Sequence, residues 1–153
     1  MQLNVYILSL LATAIVAGLL AHHAFRQRPA RGAVELAWLM VAVAEWAATI
    51  ALETAATTVS GKWLWSAVAY AGTTTAPVFF MLYALRHAYR EQWIAPARLP
   101  WFFVVPLIST GLAVTNPWHG LLWSSITLTR SWGGVTALYG RGPWFWANVA
   151  YSY

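Results

Sequence analysis

The chain has 153 residues, of which 60% are hydrophobic and 8% charged, with a net charge of +5 and no cysteine. So few charges cannot cover a water-soluble domain of this size, and the lack of cysteine excludes disulfides, thiol chemistry, iron–sulfur clusters and cysteine zinc sites. The positive charge would suggest nucleic acid in a soluble protein. Here the basic residues stand in loops beside apolar runs, where they set topology, so the expected partner is the lipid bilayer and not nucleic acid.

The first apolar run, Leu3 to Phe25, is too long for the h-region of a signal peptide, lacks a basic n-region and is followed by a basic loop. It is read as a retained span. Further spans are expected over Val34 to Val59, Trp63 to His87 and Leu99 to Thr115, since such runs approach the ~20 residues that cross ~30 Å of hydrocarbon. A fifth begins near Pro143; ten or so residues at 1.5 Å each reach ~15 Å, half of that core. The expectation is a single domain, residues 1–153, that is C-terminally incomplete.

Loop charges give an orientation. Arg26, Arg28, Arg31, Arg86, Arg90 and Arg98 lie in the first and third connections, against Lys62, Arg130 and Arg141 on the other side. The positive-inside rule then puts the N-terminus outside. The connection before Pro143 carries two β-rich runs, Trp123 to Thr129 and Val135 to Tyr139, flanking "RSWGG", whose Gly133 and Gly134 suit a tight turn. The expected fold is an all-α membrane protein. It is an antiparallel bundle of four full transmembrane helices plus the start of a fifth, with an extracellular β-hairpin between helices 4 and 5.

Four stretches stand in a distinctive order: "AEWAATIALETA", "WLWSAVAYAGTTTAPVFFMLYALRHAYR", "VVPLISTGLAVTNPWHGLLW" and "YGRGPWFWANVAYSY". Together they resemble the N-terminal seven-helix sensor region of bacterial and archaeal membrane histidine kinases, over nearly the whole chain. The resemblance implies a seven-helix bundle with its N-terminus outside, leading into cytoplasmic signalling domains. It also implies location in the cytoplasmic membrane.

Glu45, Thr49, Glu53 and Thr57 recur every four residues and form one polar stripe on the second span. A carboxyl group inside a bilayer needs a partner, a water cavity or a proton. Glu45, near mid-span, is expected to carry a proton. Glu53 is either a structural acid pinning the loop beside it or a ligand or proton site. Thr115-Asn116-Pro117 is expected to end the fourth span, because proline disfavours a helical residue before it and cannot continue the ladder. That puts His119 at the membrane surface between Trp118 and Trp123, either capping the helix end or meeting Glu53 in a pocket under the hairpin. Pro77 is expected to kink the third span beside Tyr70 and the run Thr73 to Thr75, while Asn148, Tyr151 and Ser152 present a polar face on the fifth. The candidate ligand-binding residues are therefore Glu53, His119, Asn116, Tyr70 and Asn148, with Glu45 and Thr49 as a polar stripe.

No cofactor or metal is expected. His22, His23 and His87 sit beside arginines at helix ends, where contact with lipid phosphate is ordinary. The lone lysine, Lys62, falls in a loop, unsuited to a retinal Schiff base, and zinc, phosphate-loop and Ser-His-Asp patterns are absent. No catalytic module is expected in these residues. Two readings remain: a transmembrane signal-sensing module with an outer pocket for a small or lipidic ligand, or a small accessory subunit. Either would associate with other membrane subunits or as a homodimer.

Overall fold

The computed structural model describes residues 4–89, 91–131 and 134–152. Six α-helices and one antiparallel strand pair follow in chain order: α1 (Val5–Arg26), α2 (Ala33–Ala55), α3 (Val59–His87), α4 (Leu99–Phe102), α5 (Val104–His119), β1 (Trp123–Ser131), β2 (Gly134–Arg141) and α6 (Pro143–Ser152). Four helical stretches, α1, α2, α3 and the α4–α5 run, are long and apolar enough to cross a membrane. The protein is a multi-pass membrane protein. α1 packs on α2, α2 on α3 and α3 on α5, so successive spans run antiparallel as neighbours.

The packing is inverted relative to a water-soluble core. The buried apolar residues are mostly alanines, among them Ala17, Ala21 and Ala24 on α1, and Ala37, Ala42, Ala47, Ala51 and Ala55 on α2. Ile15, Leu19, Leu107 and Phe80 point outward. Lipid tails solvate leucine as well as another helix does, so small residues that let backbones approach collect between the helices.

Local chemistry sets the helix limits. Asn4 caps α1 by accepting from the Ile7 amide at 2.9 Å, and Thr58 caps α3 by accepting from the Gly61 amide at 3.1 Å. The Thr58 cap starts α3 ahead of the expected Trp63, so Lys62 lies in the first turns of a helix and not in a loop. α2 in turn stops at Ala55, which leaves Thr57 outside the helix that carries Glu45, Thr49 and Glu53.

Pro117 does not end the fourth span as expected. α5 runs through it to His119 and stops at Gly120, whose φ of 63° is the left-handed turn that glycine adopts without strain. Proline removes the donor that the Ala113 carbonyl would have met one turn back, and Trp63 of α3 supplies a replacement, its Nε1 donating to that oxygen at 3.3 Å. The same span breaks earlier than its sequence suggested: α4 and α5 are separated at Phe103, three residues before Pro106, whose missing N–H leaves that turn without an intrahelical bond.

β1 and β2 pair with Ile126 opposite Tyr139, Leu128 opposite Ala137 and Ser131 opposite Gly134, and a bulge falls between Trp123 and Ser125. Trp132 and Gly133, part of the expected turn, lie outside the described residues. The strand pair stands at the end of the bundle where α2 and α5 finish and α3 begins, termed the hairpin end below.

Candidate functional site

Three side chains carry the attachment of the strands to the helices. Asn116, buried near the end of α5, accepts at Oδ1 from the amides of Leu122 at 2.9 Å and Trp123 at 3.0 Å, and donates from Nδ2 to the Trp123 carbonyl at 2.9 Å. This staple fixes the start of β1. Trp123 then stands with its ring against Tyr70 of α3, at 5.4 Å between centroids, and against Tyr139 of β2 at 5.6 Å. Tyr139 extends the connection: its hydroxyl donates to Glu53 Oε1 at 2.9 Å and accepts from Ser66 of α3 at 2.6 Å.

Glu53 is also held by Lys62, whose ammonium donates to the Glu53 carbonyl at 2.9 Å and to Oε1 at 3.3 Å. The Lys62 side chain is 1% exposed and that of Glu53 14%. A cation at the last carbonyls of α2 complements the negative end of the helix, and the carboxylate neutralises the cation in a place with little water. Burial chiefly pushes the Tyr139 hydroxyl above its ordinary value of 10.0, and the neighbouring Glu53 charge adds to this, against the bond from Ser66. The phenol therefore stays a donor to Glu53 at neutral pH. One polar chain thus joins α2, α3 and β2.

His119 is placed differently. Thr115 Oγ1 donates to the Gly111 carbonyl at 2.8 Å, so at 3.0 Å it accepts from His119 Nε2, while Nδ1 accepts from the Leu121 amide at 3.0 Å. These bonds select the neutral tautomer with its hydrogen on Nε2. His119 serves the backbone beyond the helix rather than its freed carbonyls. It lines a cavity of about 830 Å³ with Ser60, Trp63, Trp123, Ser125 and Ile126. Glu53 lines a separate space of about 260 Å³ with Lys62, Thr136 and Tyr139.

The remaining candidates fall along the spans. Asn148 of α6 is buried and accepts from Ser109 Oγ of α5 at 3.3 Å; Ser109 in turn accepts from Trp144 Nε1 at 3.1 Å. Tyr70 lies under Trp123. Thr49 turns its hydroxyl back to the Glu45 and Trp46 carbonyls, and Thr73, Thr74 and Thr75 do likewise one turn back, which is what threonine does inside an apolar helix. Glu45 differs from all of these. Both of its carboxyl oxygens are buried without a hydrogen-bond partner, packed against Gly72, where a Cβ would also meet the Ala42 carbonyl at 2.5 Å. At the opposite end, Arg86 Nε bonds Glu35 Oε1 at 2.7 Å and ties α3 to α2. Among the described residues no cluster of three His, Asp or Glu side chains could hold a metal ion.

Residues 9–153 match the family described as the N-terminal 7TM region of histidine kinase. The chain belongs to that family. No curated protein and no solved structure matches it. A histidine-kinase sensor region is a membrane-embedded part of a signalling protein and not its catalytic domain.

Lys62, Ser66 and Tyr139 were not legible as site residues in the sequence. One signal was available: a single lysine nine positions after an intramembrane glutamate, across a short turn, is the natural partner for that acid. Ser66 and Tyr139 gave no such signal, because hydroxyls on helices and strands are common.

Proposed function

We propose that this sensor region receives a small ligand in the cavity between Trp63, His119 and Trp123, and that the strand pair passes occupancy of that cavity to α2 and α3. The single observation behind this reading is the double role of Trp123. It lines the cavity and also packs on Tyr139, whose hydroxyl holds Glu53. A ligand that displaces the indole moves the group that joins the three elements. Such a ligand acts only through a difference in its affinity for two packings, and a buried hydrogen-bonded chain supports two discrete arrangements better than a continuous one. In this reading Glu53 belongs to the relay and His119 to the cavity.

The arginine distribution supports an orientation with the N-terminus and hairpin outside and the Arg86–Glu35 end inside a bacterial or archaeal cytoplasmic membrane. Occupancy would then be read from outside, toward the side where a histidine kinase signals.

A thermal-shift screen of the purified chain in mild detergent, against a panel of small polar and amphiphilic compounds, tests the reading. A binder at 100 times its Kd stabilises by about 2.7 kcal/mol. Its shift should vanish in Trp63→Ala and Ser125→Trp, with helix content unchanged by circular dichroism. Binders indifferent to both substitutions would refute the cavity as the site.

A further inference from the structure

The corner where α5 gives way to β1 is also the seat on which α6 begins. Gly120 turns the chain out of α5, and Asn116 holds the amides of Leu122 and Trp123 beyond it. The Leu122 carbonyl accepts from the Gly142 amide at 2.9 Å, and the Leu121 carbonyl accepts from the amide of Trp144, in the first turn of α6, at 3.0 Å. The fit is close: a Cβ on Gly142 would meet the Leu121 carbonyl, and the Gly120 oxygen at 2.7 Å. Leu121 thus carries the start of α6 on its oxygen, while its own amide donates to His119 Nδ1 at 3.0 Å.

Of the bonds at this corner, the one from Leu121 to His119 has an acceptor that a proton can remove. Nδ1 accepts while it is unprotonated, and Nε2 keeps its hydrogen in either form, and with it the bond to Thr115 at 3.0 Å. An imidazolium would set its Nδ1–H against the Leu121 N–H, donor against donor, so the two must part. The charged ring has another place to go. It stands in the last turn of α5, where the carbonyl end of the helix attracts a cation. Histidine is the side chain that ordinarily exchanges its proton between about pH 5 and 8, and His119 is exposed. The groups around it leave that exchange to His119 alone. From α5 it is joined by Asn116 and Trp118, and from α3 and β1 by Ser60, Trp63, Ser125 and Ile126, none of them charged. On β2, which leads into α6, the charge is Arg141, held over the rings of Phe145 and Trp146 at 4.8 and 5.5 Å; on α3 it is Lys62, which is engaged with Glu53.

We propose that His119 is a proton-operated latch at the root of α6. The neutral ring holds the Leu121 amide and keeps the start of α6 seated. A proton taken from solvent onto Nδ1 turns the ring toward the carbonyls that end α5, frees the Leu121 amide and loosens the seat, while the Asn116 staple on β1 stays closed. The latch needs no occupant of the Trp63–His119–Trp123 cavity, so the hairpin end responds to acidity by a route separate from ligand binding.

Solution NMR of the ligand-free chain in detergent micelles, titrated from about pH 8 to about pH 5, tests this. Ring nitrogen shifts of His119 report its tautomer and charge, and exchange protection of single amides, corrected for the intrinsic effect of pH, reports the bonds. The expected result is the Nε2–H tautomer at the alkaline end and an imidazolium at the acid end. Protection of the Leu121 amide falls by about fivefold with the same midpoint, the share of one hydrogen bond; that of Trp144 falls with it, and those of Leu122 and Trp123 hold. His119→Asn, whose side-chain oxygen takes the place of Nδ1 and does not take up a proton in this range, removes the pH dependence. A ring still neutral at about pH 5, Leu121 protection indifferent to the charge on the ring, or a pH-dependent loss that persists in His119→Asn overturns the proposal. So does a parallel loss at Leu122 and Trp123, which would mean that the whole corner melts and no single bond is released.

Discussion

Replacing Lys62 with methionine tests whether the polar chain at the hairpin end holds the structure together. The substitution keeps the length and apolar stem of the side chain but removes the ammonium that meets Glu53 Oε1 at 3.3 Å and the Glu53 carbonyl at 2.9 Å. With Lys62 1% and Glu53 14% exposed, the carboxylate is left with the Tyr139 hydroxyl and little water. Breaking a buried pair by removing one partner costs ~3–5 kcal/mol. The long 3.3 Å contact and the remaining Tyr139 bond place this case near the lower bound, ~3 kcal/mol, or a fall of about 6–12 °C in the melting temperature of a chain this size. Adding Glu53→Leu to Lys62→Met removes the stranded charge and should recover most of the loss, because replacing both ions with apolar groups is close to neutral. Melting of the single and double variants in the same detergent, followed by circular dichroism, provides the assay. A Lys62→Met protein that melts within 2 °C of the parent, or a double variant no more stable than Lys62→Met alone, would refute the coupling.

Alkaline pH should weaken the attachment of the hairpin. The Tyr139 hydroxyl is raised above its ordinary 10.0 chiefly by burial, so the folded state retains its proton longer than the unfolded chain does. Stability conferred by the neutral phenol is complete below pH 10 and is lost as pH rises beyond it; hydrogen exchange of the β2 amides should accelerate there, and Tyr139→Phe should flatten the dependence. Glu45→Met should raise the melting temperature, since the carboxyl it removes has two buried unpaired oxygens, at ~1–3 kcal/mol for such groups. Gly72→Ala should instead destabilise by ~1–3 kcal/mol through overpacking, and Glu45→Ala should restore only part, because the Ala42 carbonyl still obstructs the new Cβ. Trp63→Phe strands the Ala113 carbonyl that Pro117 leaves without its helical donor, costing ~1 kcal/mol. In a Pro117→Ala background, where the helix bonds that carbonyl itself, the same substitution should cost clearly less; equal losses in both backgrounds would show that the indole acts by packing alone.

The sequence by itself determined the solvent, the number of long spans and the membership in a sensor family. Apolar runs of spanning length report the bilayer directly, because each residue contributes to transfer free energy whatever its neighbours are. The β-rich runs before Pro143 were legible for a related reason, since alternation and paired glycines are local properties. Helix ends at Thr58 and Gly120 were less legible: a threonine cap and a left-handed glycine outweighed the expectation drawn from Trp63 and Pro117. Only the tertiary structure decided the partners. Trp63 could rescue the Ala113 carbonyl only because α3 packs on α5, and Glu53 found Lys62 and Tyr139, while His119 turned to Thr115 and the Leu121 amide. Hydrogen bonds are short-ranged and directional, so which polar groups meet depends on how three helices and a strand pair converge. No spacing along one element encodes that convergence.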